Sequence, residues 1–402
     1  MRIALLKGRS QYGVLRHFTD EMASGLRELG AQADIFDFHD IGTTYPPFHT
    51  ALAAHSYDLL FSFNGHLVQI GEEVRPPEPD LFNRAGIPFF THCFDHPASL
   101  LGRLEAQIEN LTVLCSDRSQ VKFVDEIVGR HRRATHLPAA GSRGSQRGLA
   151  PLPPSQRPIP ILFIGTNRGP ASRDFSMIGS GDIRALLNES IDLAMAHDHL
   201  SPMDALDATL RRHSIELAAE QRALLFRVVL FANEFVYTER RWRAIHQLGR
   251  DEIQVTLVGG DWDQFSTQYK SFTALPTLPY SELQSAMQQA KIVLNISSNY
   301  VDGMNERVPD AMIAGAVAVT DFNPFIADTF SIGDELLTYR WTDLASLSQV
   351  IRGTLANPDL MDRVAAAGRD KALAEHTWKS RAQSLLAIAT AQGIGRDDAG
   401  TL

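Results

Sequence analysis

The sequence predicts an α/β protein of two parallel-sheet domains, the second interrupted by a long helical insertion. Three observations predict it. Short apolar, β-branched runs alternate with helical stretches along most of the chain, which is the pattern of βαβ units. Residues 141–160, GSRGSQRGLAPLPPSQRPIP, have the Gly, Ser and Pro density of a linker. Beyond them the alternation starts again with ILFIGTNRG at 161–169. A chain of 402 residues with 44% hydrophobic and 21% charged residues has material for two full cores.

In chain order, residues 2–6 read as a first buried strand. The loop KGRSQYG leads into an amphipathic helix at about 14–29 that stops at Gly30. Further strands are expected at 32–38, within 57–65 and 87–97, and at 111–117 and 134–140. Ligands of parallel sheets bind at the carboxyl ends of strands, and polar residues stand there: Asn64, His66, His92, Asp95, His96 and Asp117. The second domain opens on the strand before Gly165. The Gly-containing turn that follows can approach phosphates closely, which makes Gly165, Thr166, Asn167 and Arg168 candidates for a diphosphate; a loop Gly needed only for backbone shape is the other reading. Residues 182–248 read as helical throughout, restarted by the N-cap pair Ser201-Pro202. The last of these helices carries Glu239, Arg240, Arg241 and Arg243. Its arginines either face phosphate or form a solvated face. IQVTLVGGDW is the next strand, and 280–290 a helix whose Tyr280 either stacks on a base or closes the helix start. After residue 321 come a strand at 335–339, helices at about 344–356 and 358–375, and a final amphipathic helix at 376–392. The tail, GIGRDDAGTL, reads as disordered. The domains are thus 1–150, then 156–375 with its insertion at about 170–248, then a terminal helix at 376–392.

Bulk properties exclude several classes. No apolar run approaches the ~20 residues of a membrane span, and the start, MRIALLKGRSQYG, reads as a strand and not as a signal peptide. Cys93 and Cys115 make no metal or disulfide framework and suit a reducing, cytoplasmic location. A net charge of -9 argues against a nucleic-acid partner.

The stretch with the most chemistry is DGMNERVPDAMIAGAVAVTD at 302–321. KIVLNISS at 291–298 reads as the strand before it, and 316–321 as the strand after it. Between them 308–314 makes one short helix, with Pro309 in its first turn and Gly315 at its stop. Asp302, Glu306, Arg307 and Asp310 therefore sit on the loop and helix start. Helix-start N–H groups favour an anion, and Arg307 adds a fork of donors that fits phosphate. Asp310 can accept both hydroxyls of a ribose; alternatively these acids only complement the helix dipole.

NERVPDAMIAGAVAVTD resembles the donor-binding signature of GT-B glycosyltransferases of the group 1 type, where an acid, seven residues and a second acid precede A-M-x-x-G. The two acids match Asp302 and Asp310, both Asp where the usual pattern has Glu. The Glu-Arg pair is closer to the CgeB-type branch, in which Arg307 matches a characteristic arginine. FFTHCFDHPASLL, LTVLCSD, THLPAAG, FIGTNR, VGGDW and HTWKSRA follow in that branch's order, so the resemblance spans roughly residues 57–386. It implies two Rossmann-like domains facing across a cleft, with a nucleotide-diphosphate sugar donor on the second and an unidentified glycan, protein or small-molecule acceptor on the first. It also implies a terminal helix that crosses back to the first domain, and no metal and no cofactor, the leaving diphosphate being stabilised by basic side chains and helix dipoles. The implied donor set is Gly165, Thr166, Arg168, Arg240, Tyr280, Asp302, Glu306, Arg307 and Asp310, with Asp302 near the transferred sugar. For chemistry on the acceptor, Asp95 in its Asp-x-Pro loop is the expected base or orienting group and His96 the second choice; otherwise Asp95 pins its loop. Two Asp in place of two Glu leave another reading, a catalytically silent nucleotide-binding or structural protein of the same fold.

Overall fold

The computed structural model describes residues 1–129, 133–143, 151–297 and 300–395. Contacts divide the chain into two compact units. One is Met1–Ala140 together with the segment from Thr377, and the other is Gly141–His376. Part of the expected linker (144–150), Ser298 of the expected strand and the tail from 396 lie outside the described residues.

The first unit is a parallel sheet of β1 (Arg2–Lys7), β2 (Gln32–Asp37), β3 (Leu59–Phe63), β4 (Phe89–Cys93), β5 (Leu111–Cys115) and β6 (Arg133–His136), in the order β2-β1-β3-β4-β5-β6. β3, β4 and β5 are buried at every position. Covered on both faces, they read as continuous apolar runs and do not alternate. The helix Val14–Glu28 buries Phe18, Met22 and Leu26 at i, i+4 and i+8, and Gly30 follows at φ +85°. Beside it lies the last helix, Trp378–Ala391. Gly25 permits that approach, since a Cβ there would stand 2.9 Å from the Lys379 Cα. The Trp378 ring fills the space below, 4.8 Å from Phe18 and 5.5 Å from Phe63. The sequence reading missed the helix Ile41–Ala53, which has Pro46 and Pro47 inside it. Interior prolines remove helix hydrogen bonds and so mask the helical pattern.

The second unit has β7 (Ile159–Ile164), β8 (Val255–Val258), β9 (Phe272–Leu275), β10 (Ala290–Leu294), β11 (Val317–Asp321) and β12 (Leu337–Tyr339), also all parallel, in the order β12-β11-β10-β7-β8-β9. Strand β9 was not expected, because this four-residue edge strand buries only Phe272 and carries no pattern to read. Between β7 and β8 run the helices Gly181–Met195, Pro202–Arg212, Ala219–Phe226 and Val229–Arg250, and Ser201 caps the second by accepting from the Asp204 N–H at 3.0 Å. The later part of the linker-like stretch is built into this unit. Ser155 donates to Asp362, and the buried Arg157 guanidinium donates to the carbonyls of Leu152, Ala290 and Ala314. No helix among the described residues is long and apolar enough to cross a membrane.

Candidate functional site

In the second unit the chain starts at β7, builds β8 and β9 to one side, then crosses to β10, β11 and β12 on the other. The strand order reverses between β7 and β10, and the crevice outside such a reversal is where open α/β sheets bind ligands. The carboxyl end of β7 is the turn Gly165–Thr166–Asn167. It is sewn to the turn after β8. Gly165 N–H donates to the Val258 carbonyl (2.9 Å), Asn167 N–H to that of Gly260 (3.0 Å), and the Trp262 indole to that of Gly165 (2.6 Å). Gly259, at φ +141°, cannot be another residue, because a Cβ would stand 2.3 Å from the Gly165 oxygen. The Thr166 N–H makes no hydrogen bond among the described residues.

Three arginines surround this turn. Arg307, on the first residue of the helix Arg307–Ile313, donates Nη1 to the Ile164 carbonyl at 2.8 Å and has its Nε 3.8 Å from Glu306. Arg241 donates Nη1 to the Thr166 carbonyl at 3.0 Å and Nη2 to the Tyr237 hydroxyl. Arg168, half of it exposed, pairs with Glu234 and lies over the Tyr237 ring. Arg241 is only 4% exposed, its Nε has no partner, and no carboxylate pairs with it among the described residues. Burial lowers its pKa; the Tyr237 hydroxyl opposes that, while the charges of Arg307 and Arg168 add to it. Gathering like charges around a buried cation is unfavourable unless something anionic joins them.

Arg240, the neighbour expected at this site, faces elsewhere. Its Nη2 donates to the carbonyls of Ala194 (2.7 Å) and His197 (2.6 Å), which ties the last insertion helix to the first. Successive helical residues point about 100° apart, so Arg240 and Arg241 leave the helix in different directions. Charge and helix position gave no means of choosing between them.

Asp310 is 3% exposed. Its Oδ1 accepts from the Ser142 N–H at 2.8 Å and its Oδ2 from the Tyr280 hydroxyl at 2.5 Å. Tyr280 is thus neither an open stacking platform nor a mere helix start. It is buried against the acid, and burial with the Asp310 charge pushes its pKa well above the usual phenol value. Ser142, which no sequence signal marked, closes this knot. Gly141 before it allows the close approach, since a Cβ would stand 2.7 Å from the Pro309 carbonyl carbon. Asp302 lies half-buried in the loop ahead of the helix, and Glu306 immediately precedes the helix. That loop is tethered by Asn323, which donates to the Gly303 carbonyl at 2.9 Å, and by Asp321, which accepts from the Ser297 N–H at 2.7 Å.

In the first unit Asn64 organises the strand ends. It sits at φ +52°, accepts at Oδ1 from the N–H groups of Phe94 (2.7 Å) and Asp95 (3.2 Å), and donates Nδ2 to Asp95 Oδ2 (2.8 Å). Asp95 is exposed and held by that bond. The His96 Nδ1 accepts from the Ala98 N–H at 3.1 Å and so caps the turn Pro97–Leu100; burial pushes its pKa down to about 3. His92 is fully buried, with Nε2 2.7 Å from the Leu137 carbonyl and 3.0 Å from the Ser116 hydroxyl. No group of three or more His, Cys, Asp or Glu able to hold a metal occurs among the described residues.

Residues 240–387 match a family model described as glycosyl transferase-like. No curated protein matches the sequence. Solved structures similar along nearly the whole chain include T4 phage BGT in complex with its UDP-glucose substrate, 12% identical, with a TM-score of 0.56 over 97% of this chain and 99% of that one. Sucrose-phosphate synthase from Thermosynechococcus elongatus is 13% identical, with a TM-score of 0.53 over 98% and 99%. Anabaena HepE in complex with UDP and glucose is 11% identical, with a TM-score of 0.52 over 97% and 100%. The chain therefore has the two-domain GT-B fold, and its residues 240–387 are similar to the glycosyl transferase-like family.

Proposed function

We propose that the protein transfers a sugar from a nucleotide-diphosphate sugar to an acceptor hydroxyl, and that the diphosphate lies at the β7–β10 crevice. One observation carries this reading: Arg241 is buried without a carboxylate partner among the described residues, beside a glycine turn and between two further arginines. As the sugar–phosphate bond breaks, negative charge grows on the leaving diphosphate. Preorganised guanidinium groups in a buried site stabilise that charge with little reorganisation. The Thr166 N–H adds a backbone donor. Arg307, bonded to the end of β7 from the helix after β10, holds both sides of the crevice in register.

Asp310 is the proposed ribose acceptor, with Tyr280 and Ser142 fixing its carboxylate, and Asp302 the proposed contact to the transferred sugar. Because the arginines supply the positive charge, turnover is expected to survive a chelator. The order of FIGTNR, VGGDW and NERVPDAMIAG supports placement in the CgeB-type branch, and two cysteines without a framework favour a cytoplasmic setting.

A thermal-shift screen with UDP, GDP, ADP and dTDP and their sugars tests the reading. A ligand bound only to the native state raises the melting temperature by mass action. Uridine nucleotides are the first probes, since two of the similar structures are described as UDP or UDP-glucose complexes. Stabilisation by one diphosphate and its sugar, followed by release of that diphosphate in the presence of acceptor, is the expected result. Stabilisation without any release would leave a nucleotide-binding protein, and no stabilisation would remove the reading.

A further inference from the structure

The first sheet has a reversal of its own. From β1 the chain builds β2 to one side, then crosses to β3 and onward on the other. At the carboxyl ends of these strands lies a cavity of about 340 Å³, lined by Gly8 and Arg9 after β1, His66 and Leu67 after β3, and by Glu73 and Arg103. That volume lies at the low end for small-molecule sites and suits a single sugar-sized ligand. A second cavity of about 340 Å³ opens at the other edge of the same sheet, beside Asn110 and Arg133, where strands begin and the fold places no ligand.

Three features mark the first cavity as built for a ligand. Its backbone is held in sparsely populated conformations, with Asn64 at φ +52° and Leu67 at φ +66° on either side of His66. Such outliers persist where surrounding structure holds them, and they cluster at functional sites. The His66 ring is packed against Gly8, where a Cβ would stand 2.9 Å from its Nδ1, yet its side chain makes no hydrogen bond among the described residues. Its pKa is pushed down to about 4 by burial and by the Arg103 charge, so it is a neutral donor and acceptor at pH 7.

The charges decide the ligand class. Arg9 is exposed and engages no hydrogen bond or ion pair among the described residues. Arg103 uses one nitrogen on the Asn64 carbonyl (2.9 Å) and, like Arg9, forms no ion pair with Glu73 among the described residues. Two unneutralised guanidinium groups recognise a carboxylate or phosphate. Glu73 and His66 can accept from hydroxyls.

We propose that this cavity is the acceptor site and that the acceptor is a small hydroxylated anion, its acid group held between Arg9 and Arg103. This assignment of the acceptor rests on the transferase reading above; the anion site itself does not. Isothermal titration calorimetry of the whole protein with glucuronate, glucose 6-phosphate and glucose, each with and without UDP, tests it. At least one anion should bind about tenfold or more tighter than glucose, and which anion does so separates a carboxylate acceptor from a phosphorylated one. Arg9→Ala should weaken that anion at least about tenfold, the effect of losing a charged hydrogen bond. Arg103→Gln, which keeps a donor for Asn64, should do the same, and neither variant should change UDP affinity. Glucose binding as well as both anions, no binding of either anion, or full affinity in both variants would overturn the proposal. Loss of UDP binding alone, with Arg9-dependent anion binding intact, would instead sink the transferase reading and with it the word acceptor.

Discussion

The two sheets share a plan and differ in what stands at their reversal points. Each has six parallel strands and starts its chain on an inner strand. At β7–β10 the side chains are already engaged: Arg307, Arg241, Trp262 and Asn167 each make a bond that fixes the turn. At β1–β3 the site is open, and Arg9 and the His66 ring carry no hydrogen bonds among the described residues. The difference teaches that preorganisation and adaptability are divided between the units. A diphosphate is the same in every turnover and rewards fixed donors, whereas an open cavity with free side chains leaves selection to the ligand's own charge and hydroxyls.

The largest expected effect falls on the fixed side. Arg307→Lys keeps the charge and loses the planar fork, so turnover should drop by ~10²–10³, the loss that follows removal of one transition-state donor. Steady-state kinetics that show near wild-type turnover would make Arg307 an ordinary surface charge and erase the contrast between the two sites.

Next comes Asp310→Ala. It strips the acceptor from the Ser142 N–H and the Tyr280 hydroxyl, both buried. Stability should fall by about 1–3 kcal/mol, and nucleotide affinity at least tenfold if the carboxylate also takes the ribose. Denaturant unfolding and a nucleotide titration read the two separately, and a variant that loses stability but keeps affinity assigns Asp310 to scaffolding alone.

Asp95→Asn sharpens the other side. The carboxylate accepts from Asn64 Nδ2 at 2.8 Å, and Asn can present an oxygen to the same donor. Turnover should therefore change by less than about tenfold. A loss of ~10²–10⁴ with donor binding intact would mark a general base and move the acceptor chemistry away from the β1–β3 cavity.

The smallest effect concerns pH. Burial raises the Asp321 pKa to about 6, against its backbone bonds and the Arg240 charge. A carboxyl raised above its unfolded value of 3.8 holds its proton more tightly when folded, so its contribution to stability is greatest below pH 4 and is lost as pH rises towards 6. The difference in melting temperature between wild type and Asp321→Asn should thus shift against the wild type from pH 4 to pH 7. A difference independent of pH would show that Asp321 titrates normally.

These variants also show what could be read in advance. The strands and the motif helix were legible because both-face burial leaves apolar runs and because Gly315 stops the helix at φ +69°. Gly165, Thr166 and Arg168 follow the end of β7, and Arg307, which opens the helix between β10 and β11, reaches that end through the Ile164 carbonyl, so these residues do come together. Arg241 was indistinguishable from Arg240 and Arg243, because which face of a helix meets a turn 75 residues away depends on packing. Ser142 and Tyr280 were invisible as a pair for the same reason, being 138 residues apart. His96 was legible as an imidazole near a strand end, yet burial pushes its pKa down to about 3 and its ring nitrogen caps a turn, neither of which composition announces.

The most direct test of the central claim is the gap in affinity between UDP and uridine, measured by calorimetry in wild type and in Arg307→Ala. Diphosphate held at the β7–β10 crevice predicts that wild type binds UDP much more tightly than uridine, and that Arg307→Ala narrows this gap at least about tenfold with uridine affinity little changed. A gap of the same size in both proteins would place the diphosphate elsewhere and contradict the account.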